Sequence, residues 1–99
     1  MGEFEQLVLL AILRLGEDAY GMEIRSEIES VTGRPTSYGA VYTTLSRLER
    51  KGYVSHSLGE STPERGGRAK KYFEVETAGR DALKVSRQAL SVMWDGVRL

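Results

Sequence analysis

The segment 65–71 carries the clearest chemical signal in the sequence. Cationic side chains surround two adjacent glycines there: Arg65, Gly66, Gly67, Arg68, Lys70 and Lys71. Glycine lets a backbone approach another surface without a side chain in the way, and arginine and lysine supply affinity for phosphate or for a narrow minor groove. The pattern favours contact with a nucleic acid, with an ordinary solvated turn as the alternative. A disordered Arg-Gly-Gly RNA-binding segment fits less well, because the motif occurs once and a strand pattern follows it.

A second candidate surface lies along residues 38–51, which show helical periodicity. Val41, Leu45 and Leu48 form an apolar stripe, and the side chains facing away from it are small, hydroxylated or basic. Hydroxyl groups and the amides of a helix N-terminus bind phosphate oxygens, and an arginine can reach a base or a phosphate. The candidate residues are Ser37, Tyr38, Gly39, Tyr42, Thr43 and Arg47. For the two tyrosines, packing in the core is the alternative to DNA contact.

Residues for enzyme chemistry are sparse. The sequence has one histidine, His56, and no cysteine, so thiol redox chemistry and a cysteine metal site are excluded. It also lacks the metalloprotease, phosphate-loop, dinucleotide and nucleophile-elbow motifs. His56 falls on a strand pattern, where a structural or surface role is expected. We therefore expect no enzyme activity, with no catalytic residues, no metal and no cofactor.

The charge is distributed unevenly along a chain that is neutral overall. Residues 1–33 carry two basic and seven acidic side chains, a net charge of −5. Residues 34–71 carry eight basic and three acidic ones, a net charge of +5. Such polarity can mark a polyanion-binding face, although an ordinary solvated surface could show the same counts.

The sequence predicts a soluble cytoplasmic protein without membrane contact. Its longest apolar run, residues 7–13, is much shorter than the roughly 20 residues that span a bilayer. Glu3 and Glu5 also stand where a secretory signal would carry positive charge.

Three helices, a β-hairpin and a long final helix are predicted within one domain of 99 residues. The helical spacing of apolar residues changes after Gly52 to the alternation of strands and returns after the second strand. The predicted helices are 4–15, 20–31, 38–51 and 78–94, and the predicted strands are 54–58 and 70–75. Asp18 is expected to cap the second helix, and Thr36 or Ser37 the third. This order, α-α-α-β-β-α, is mainly α with a small β-hairpin. It is the plan of a winged helix-turn-helix, whose third helix can lie in the major groove of DNA.

Two helices carry more apolar surface than one small domain can bury. The first is apolar around most of its girth, and the last has apolar residues on more than one side. Such helices need a second covering surface, so we expect a homodimer. The predicted interface residues are Leu9, Leu10, Leu13, Leu83, Leu90, Met93 and Trp94. Residues 1–76 form the predicted DNA-binding domain, and residues 77–99 the C-terminal dimerisation helix.

Several short motifs occur in a characteristic order. The sequence reads Leu-Arg-Leu-Gly at 13–16, Ala-Tyr-Gly at 19–21, Ser-Tyr-Gly-Ala-Val-Tyr-Thr-Thr-Leu at 37–45, Arg-Leu-Glu-Arg-Lys-Gly at 47–52 and Thr-Pro-Glu-Arg-Gly-Gly-Arg at 62–68. Over about residues 4–90 the chain resembles the PadR family of transcriptional regulators. The resemblance implies a winged-helix repressor that dimerises through its C-terminal helix and binds inverted repeats in promoters. It also implies, as in many members, release by a small molecule.

Two features qualify the resemblance. The family commonly has threonine three residues before the glycine that opens the last helix, whereas this sequence has Glu76 there and Thr77 beside it. We expect Thr77 to cap the helix instead. The chain ends soon after Trp94, as in short-tailed members, so a small aromatic or apolar effector would have to bind at the dimer interface. A winged helix used only for protein contacts is the alternative function, although it has no need for the cations of residues 65–71.

Overall fold

A computed structural model describes residues 1–59 and 70–99 of the chain. Along these residues the order is α1 (Glu3–Leu15), a 3-10 turn (Gly16–Asp18), α2 (Gly21–Thr32), α3 (Tyr38–Arg50), β1 (Val54–Leu58), β2 (Lys71–Val75) and α4 (Thr77–Trp94). The predicted order of elements is confirmed, and each end lies within one residue of its predicted position. The chain is mainly α with a small β-hairpin, β1–β2, which we call the wing. This is the winged helix-turn-helix plan.

The core lies where the first three helices pack against one another and against the wing. Val8 of α1 and Ile24 of α2 have no exposed surface, and Val54 and Phe73 bring the two strands into the same cluster. The predicted buried stripe of α3, formed by Val41, Leu45 and Leu48, is confirmed. Because this stripe fixes the rotation of α3, the opposite face of that helix is turned to solvent.

Leu9 belongs to this core, which corrects its assignment to a subunit interface. Its side chain has no exposed surface in the single chain, because α2 and α3 both pack on α1. Leu10, the next residue, is 46% exposed. One apolar side of α1 is therefore covered by the other helices, and another side, which includes Leu10, is exposed.

The wing is hydrogen-bonded to residues 19 and 20, just before α2. This contact was not predicted from the sequence. β1 and β2 pair antiparallel from Val54↔Val75 to Leu58↔Lys71. Tyr20 forms an isolated β-bridge with Tyr72, and the Phe73 amide donates to the Ala19 carbonyl at 2.8 Å. A β-bridge of one residue produces no repeating pattern of apolar residues, so it cannot be predicted from periodicity. The contact ties the wing to the start of α2.

The helix caps differ in part from expectation. Ser37 caps α3, because its Oγ accepts a hydrogen bond from the Ala40 amide at 3.1 Å. Asp18 does not cap α2; it lies in the 3-10 turn, and α2 begins after Tyr20 without a side-chain cap. Thr77 is the first residue of α4, and Glu76 occupies the cap position. These differences are local and leave the order of elements intact.

The last helix leaves the body of the protein after its first turns. Gly79 is buried, and a Cβ there would lie 2.4 Å from the Tyr53 carbonyl oxygen. Glycine allows this close approach of helix and backbone. Leu83 is partly buried against the core, but residues 87–99 are all exposed. The second half of α4 thus has no covering surface within this chain.

An ion pair between α1 and the end of α3 links stability to acidic pH. The Glu5 side chain is only 9% exposed, and its carboxylate accepts a hydrogen bond from the Lys51 ammonium at 2.9 Å. This hydrogen bond lowers the pKa of Glu5, although burial opposes it. Because the folded pKa lies below the unfolded value of about 4.3, the pair stabilises the fold above that pH. Its contribution disappears as the pH falls through the folded pKa.

Lys51→Met should leave the Glu5 carboxylate buried without its charged partner. We expect the free energy of unfolding to fall by about 1–3 kcal/mol at pH 7. Chemical denaturation between pH 7 and pH 3 should show the difference from wild type shrinking as the pH falls. Arg50→Met removes the same charge from an exposed neighbour and should cost less than about 0.5 kcal/mol. A Lys51→Met difference that stays constant over this range would contradict the assignment.

Candidate nucleic-acid interface

The exposed face of α3 brings together the side chains that the sequence assigned to it. All six of these residues are exposed: Ser37, Tyr38, Gly39, Tyr42, Thr43 and Arg47. The hydroxyls and the helix N-terminus lie at one end of this face, and Arg47 lies toward the other. The arrangement offers donors for phosphate oxygens together with one side chain able to contact a base edge. Gly39 has nothing within 4 Å of its Cβ position, so that part of the face is open to close approach.

Tyr38 and Tyr42 form a pair on this face. Their ring centroids are 4.9 Å apart at an interplanar angle of 62°, and the residues are 40% and 38% exposed. They are therefore packed on each other and not enclosed in the core. Partial burial, and then the neighbouring Tyr42, raise the pKa of Tyr38 above its ordinary value. A phenol with an ordinary pKa is already protonated at neutral pH, so the Tyr38 hydroxyl can donate a hydrogen bond to a phosphate oxygen whether or not its pKa is raised.

Hydrogen bonds across the α2–α3 connection fix where α3 begins. The Arg25 guanidinium donates to the Thr36 carbonyl at 2.8 Å, and the Thr36 amide donates to the Glu29 carboxylate at 2.8 Å. Thr36 is buried in this network. Because Ser37 and Tyr38 follow directly, the network positions the N-terminal end of the candidate interface. Spacing along the sequence does not signal these contacts.

The loop end of the hairpin, opposite to the Val54↔Val75 end, contributes Lys70 and Lys71, both of which are exposed. The Lys70 ammonium lies 4.3 Å from the centroid of the Tyr20 ring, which is a cation–π contact. Sequence reasoning did not assign Tyr20 to the interface, although it lies within the Ala-Tyr-Gly motif at 19–21. The predicted residues Arg65, Gly66, Gly67 and Arg68 lie outside the described residues.

His56 connects the wing to α3. Its Nδ1 lies 2.5 Å from the Glu49 carboxylate, and its ring is 5.9 Å from that of Phe73. This is a contact between β1 and the last turn of α3. Across residues 1–59 and 70–99, no group of three or more His, Asp or Glu side chains is arranged to hold a metal ion. Nor does any helix in those two ranges have the length and apolar character needed to cross a membrane.

A groove between α1 and α4 collects the remaining predicted interface residues. Its volume is about 640 Å³, and its apolar lining comes from Leu10, Leu13, Leu83 and Leu90. Arg80, Lys84 and Arg87 of α4 also line it. Met93 and Trp94 lie further along α4 and are 75% and 55% exposed. Of the seven residues assigned to an interface, Leu9 alone is fully buried, and the others border or extend this groove.

Comparison with known proteins identifies both the family and the fold. The model of the transcriptional regulator PadR-like family matches residues 9–85, whereas a comparison with curated protein sequences finds no match. A transcriptional regulator from Clostridium thermocellum superposes with a TM-score of 0.76 at 22% identity, over 92% of this chain and 82% of that chain.

Two further solved structures are similar. A PadR family transcription regulator from Clostridium difficile gives a TM-score of 0.72 at 24% identity, over 95% of this chain and 93% of that chain. A PadR family transcriptional regulator from Eggerthella lenta gives 0.70 at 25% identity, over 95% and 81%. The family match takes in α2, α3, the wing and parts of α1 and α4. The chain belongs to the transcriptional regulator PadR-like family.

Proposed function

We propose that the protein is a homodimeric transcriptional repressor that binds double-stranded DNA at an inverted-repeat operator. The observation that carries this proposal is the exposed face of α3, which has hydroxyls and the helix N-terminus at one end and Arg47 toward the other. We assign DNA binding to residues 1–76 and dimerisation to residues 77–99. Because its target is chromosomal DNA, we place the protein in the cytoplasm.

In the proposed complex α3 lies in the major groove. The amides at its N-terminus, the Ser37 hydroxyl and the two phenols bond phosphate oxygens, which sets the register on the duplex without reading its sequence. Gly39 permits close approach, and Arg47 supplies the direct contact to a base. Lys70, Lys71 and the cations of residues 65–68 bind the backbone or a narrow minor groove nearby.

The proposed dimer covers the apolar surface that α1 and α4 leave exposed. Leu10 is 46% exposed and Leu90 is 53% exposed, and both line the α1–α4 groove. A two-fold axis through this surface would place two copies of α3 in successive major grooves, about 34 Å apart. Half-sites about 10 base pairs apart follow from that spacing. Space left at the interface would receive a small aromatic or apolar effector, against Trp94 or the leucines of the groove.

Footprinting on promoter DNA tests the whole proposal. Two protected segments related by two-fold symmetry and about 10 base pairs apart are expected. A protected region without this symmetry would contradict the docking. A winged helix that binds only proteins would give no electrophoretic shift even with random-sequence duplex at low salt, so this simpler assay decides between the two functions.

Arg65 and Arg68 should set part of the salt dependence of DNA binding. If Arg65 and Arg68 each contact phosphate, the double replacement by alanine should weaken binding to specific and to random DNA alike. The slope of log K against log salt should decrease in magnitude by roughly 0.9 for each phosphate that is no longer neutralised. Titrations between about 50 and 200 mM salt measure this slope.

Arg98→Ala is the matched control, because it removes an arginine from the far end of the chain. It should leave the slope unchanged. If the slope is also unchanged in the double variant, Arg65 and Arg68 do not contact the phosphate backbone. A loss of affinity confined to the specific DNA would instead mean that the two arginines read bases or groove shape.

A further inference from the structure

Two pairs of tyrosine rings, joined through Gly21, form a series of contacts that runs from the wing to α3. At the wing, a Cβ on Gly59 would lie 2.3 Å from Cε2 of Tyr72, so the Tyr72 ring rests directly on the Gly59 backbone. The ring of Tyr20 meets that of Tyr72 edge-on, with centroids 5.6 Å apart and an interplanar angle of 70°. Lys70 covers the other ring of this pair, that of Tyr20.

The series continues through the residue after Tyr20. A Cβ on Gly21 would lie 3.1 Å from the Tyr38 hydroxyl and 3.4 Å from Cε2 of Tyr42. The start of α2 thus packs against the tyrosine pair of α3. We call this set the aromatic bridge: Tyr20, Gly21, Tyr38, Tyr42, Gly59 and Tyr72.

Two features suggest that the bridge does more than fill space. Its four tyrosines are all partly exposed, so the contacts run along the surface between the two DNA-binding elements and not through the core. In addition, both glycines sit where a methyl group would press on a ring. A methyl group added at residue 21 or residue 59 would therefore have to shift a ring of the bridge.

We infer that the aromatic bridge is a positioning device, which sets the placement of the wing relative to α3 and so allows both to contact one duplex. Tyr72, Gly59 and Gly21 act through their neighbours and need not touch DNA themselves. The inference rests on the proposed DNA-binding function. The inference adds that DNA affinity depends on residues outside the surface that contacts DNA. Two contact sites held at a fixed spacing bind one duplex more tightly than two sites that are loosely linked.

The first arm of the test measures spacing without DNA. The sequence contains no cysteine, so Ser46→Cys in α3 and Leu58→Cys in β1, whose strand partner is Lys71 and not Tyr72, can carry spin labels at two exposed positions. Labelled chains are diluted into unlabelled ones, so that each measured pair lies within one chain. Gly59→Ala and Tyr72→Leu should shift or broaden the distance distribution. Tyr72→Phe keeps the ring and should restore the narrow distribution, and Gly2→Ala, which meets nothing within 4 Å, is the matched control.

The second arm measures binding of unlabelled chains to a random-sequence duplex at low salt. Gly59→Ala and Tyr72→Leu should each weaken binding by roughly two- to thirtyfold. The salt slope should fall by roughly 0.9 for each phosphate that the displaced wing no longer reaches. A variant that is merely less stable, but folded during the assay, would keep the wild-type slope. Combining the two changes should add little to Tyr72→Leu alone, because the clash at residue 59 requires the ring.

The outcomes separate the inference from the function on which it rests. If the spin-label distances are unchanged in folded variants, the positioning role of the bridge is overturned. It is also overturned if the distances change while the DNA affinity and the salt slope do not. If Tyr72→Leu does not fold, Gly59→Ala and Gly21→Ala decide the matter from opposite ends. Failure of the wild-type chain to bind DNA would show instead that the proposed function is wrong, and the positioning role would be overturned with it.

Discussion

Leu90→Asp should convert the proposed dimer into monomers that do not bind the proposed operator with two-fold symmetry. Leu90 is 53% exposed in the single chain and faces the groove that Leu10 and Leu13 line from α1. Covering a leucine side chain contributes about 1.5–3 kcal/mol, and a two-fold interface contains the residue twice. Removing both contributions, about 3–6 kcal/mol, corresponds to a rise in the dissociation constant of about 10²- to 10⁴-fold. Desolvation of the new carboxylate adds to this effect.

Sedimentation over a range of concentrations measures the effect directly. Met22 is 50% exposed on α2, so Met22→Asp makes a comparable change at an exposed apolar residue outside the groove and should leave the dimer intact. Circular dichroism of Leu90→Asp distinguishes dissociation from unfolding. A wild-type chain that sediments as a folded monomer at micromolar concentration would contradict the proposed dimer, because the exposed half of α4 would then be stable without a partner.

The sequence was sufficient to predict the elements and the face of α3, because both follow from periodicity. Val41, Leu45 and Leu48 recur at helical spacing, and burying that stripe turns Tyr42, Thr43 and Arg47 outward without further information. The change to an alternating pattern after Gly52 marked the wing in the same way. These are local properties of a short stretch of chain.

Contacts between distant parts of the chain could not be predicted in this way. Tyr20 meets Tyr72 through one bridge and one ring contact, and neither leaves a repeating pattern in the sequence. The division of α1 between core and exposed surface is a similar case. Leu9 and Leu10 are identical in type and adjacent, and only the positions of α2 and α3 determine which of them is covered. Periodicity indicates that a helix has more apolar surface than one face of contact can bury, but it does not indicate which partner covers each side.

The prediction that Asp18 caps α2 was wrong. Asp18 is a good capping residue by type, but a 3-10 turn follows α1 directly and takes up Gly16–Asp18. The Tyr20 amide donates to the Asp18 carbonyl at 3.0 Å, so the chain reaches the start of α2 two residues later than the capping signal suggests. The 3-10 turn therefore takes Asp18 out of the capping position, and α2 begins after Tyr20 without a side-chain cap.

Arg47→Ala should lower affinity for the operator more than affinity for random DNA. Arg47 is exposed on α3 and is the one residue of the candidate face of α3 able to make a paired contact with a guanine. Removing such a contact costs about 1–3 kcal/mol on the cognate site, which is roughly 5- to 150-fold in affinity. Tyr42→Phe, in contrast, removes the hydroxyl that we propose contacts a phosphate and should lower affinity for both DNAs by similar factors.

Competition titrations at one salt concentration give the ratio of specific to random affinity, which is the quantity that decides the role of Arg47. Arg50→Ala is the matched control, since it removes the same charge from the same helix one turn nearer its C-terminus. Arg50→Ala should slightly weaken binding to both DNAs and leave the ratio of specific to random affinity unchanged. If Arg47→Ala also leaves the ratio unchanged, Arg47 contacts phosphate, and α3 then carries no paired base contact. Specificity would then have to come from the shape and deformability of the operator, and the aromatic bridge, which sets where the two contacts fall on the duplex, would contribute to that selection.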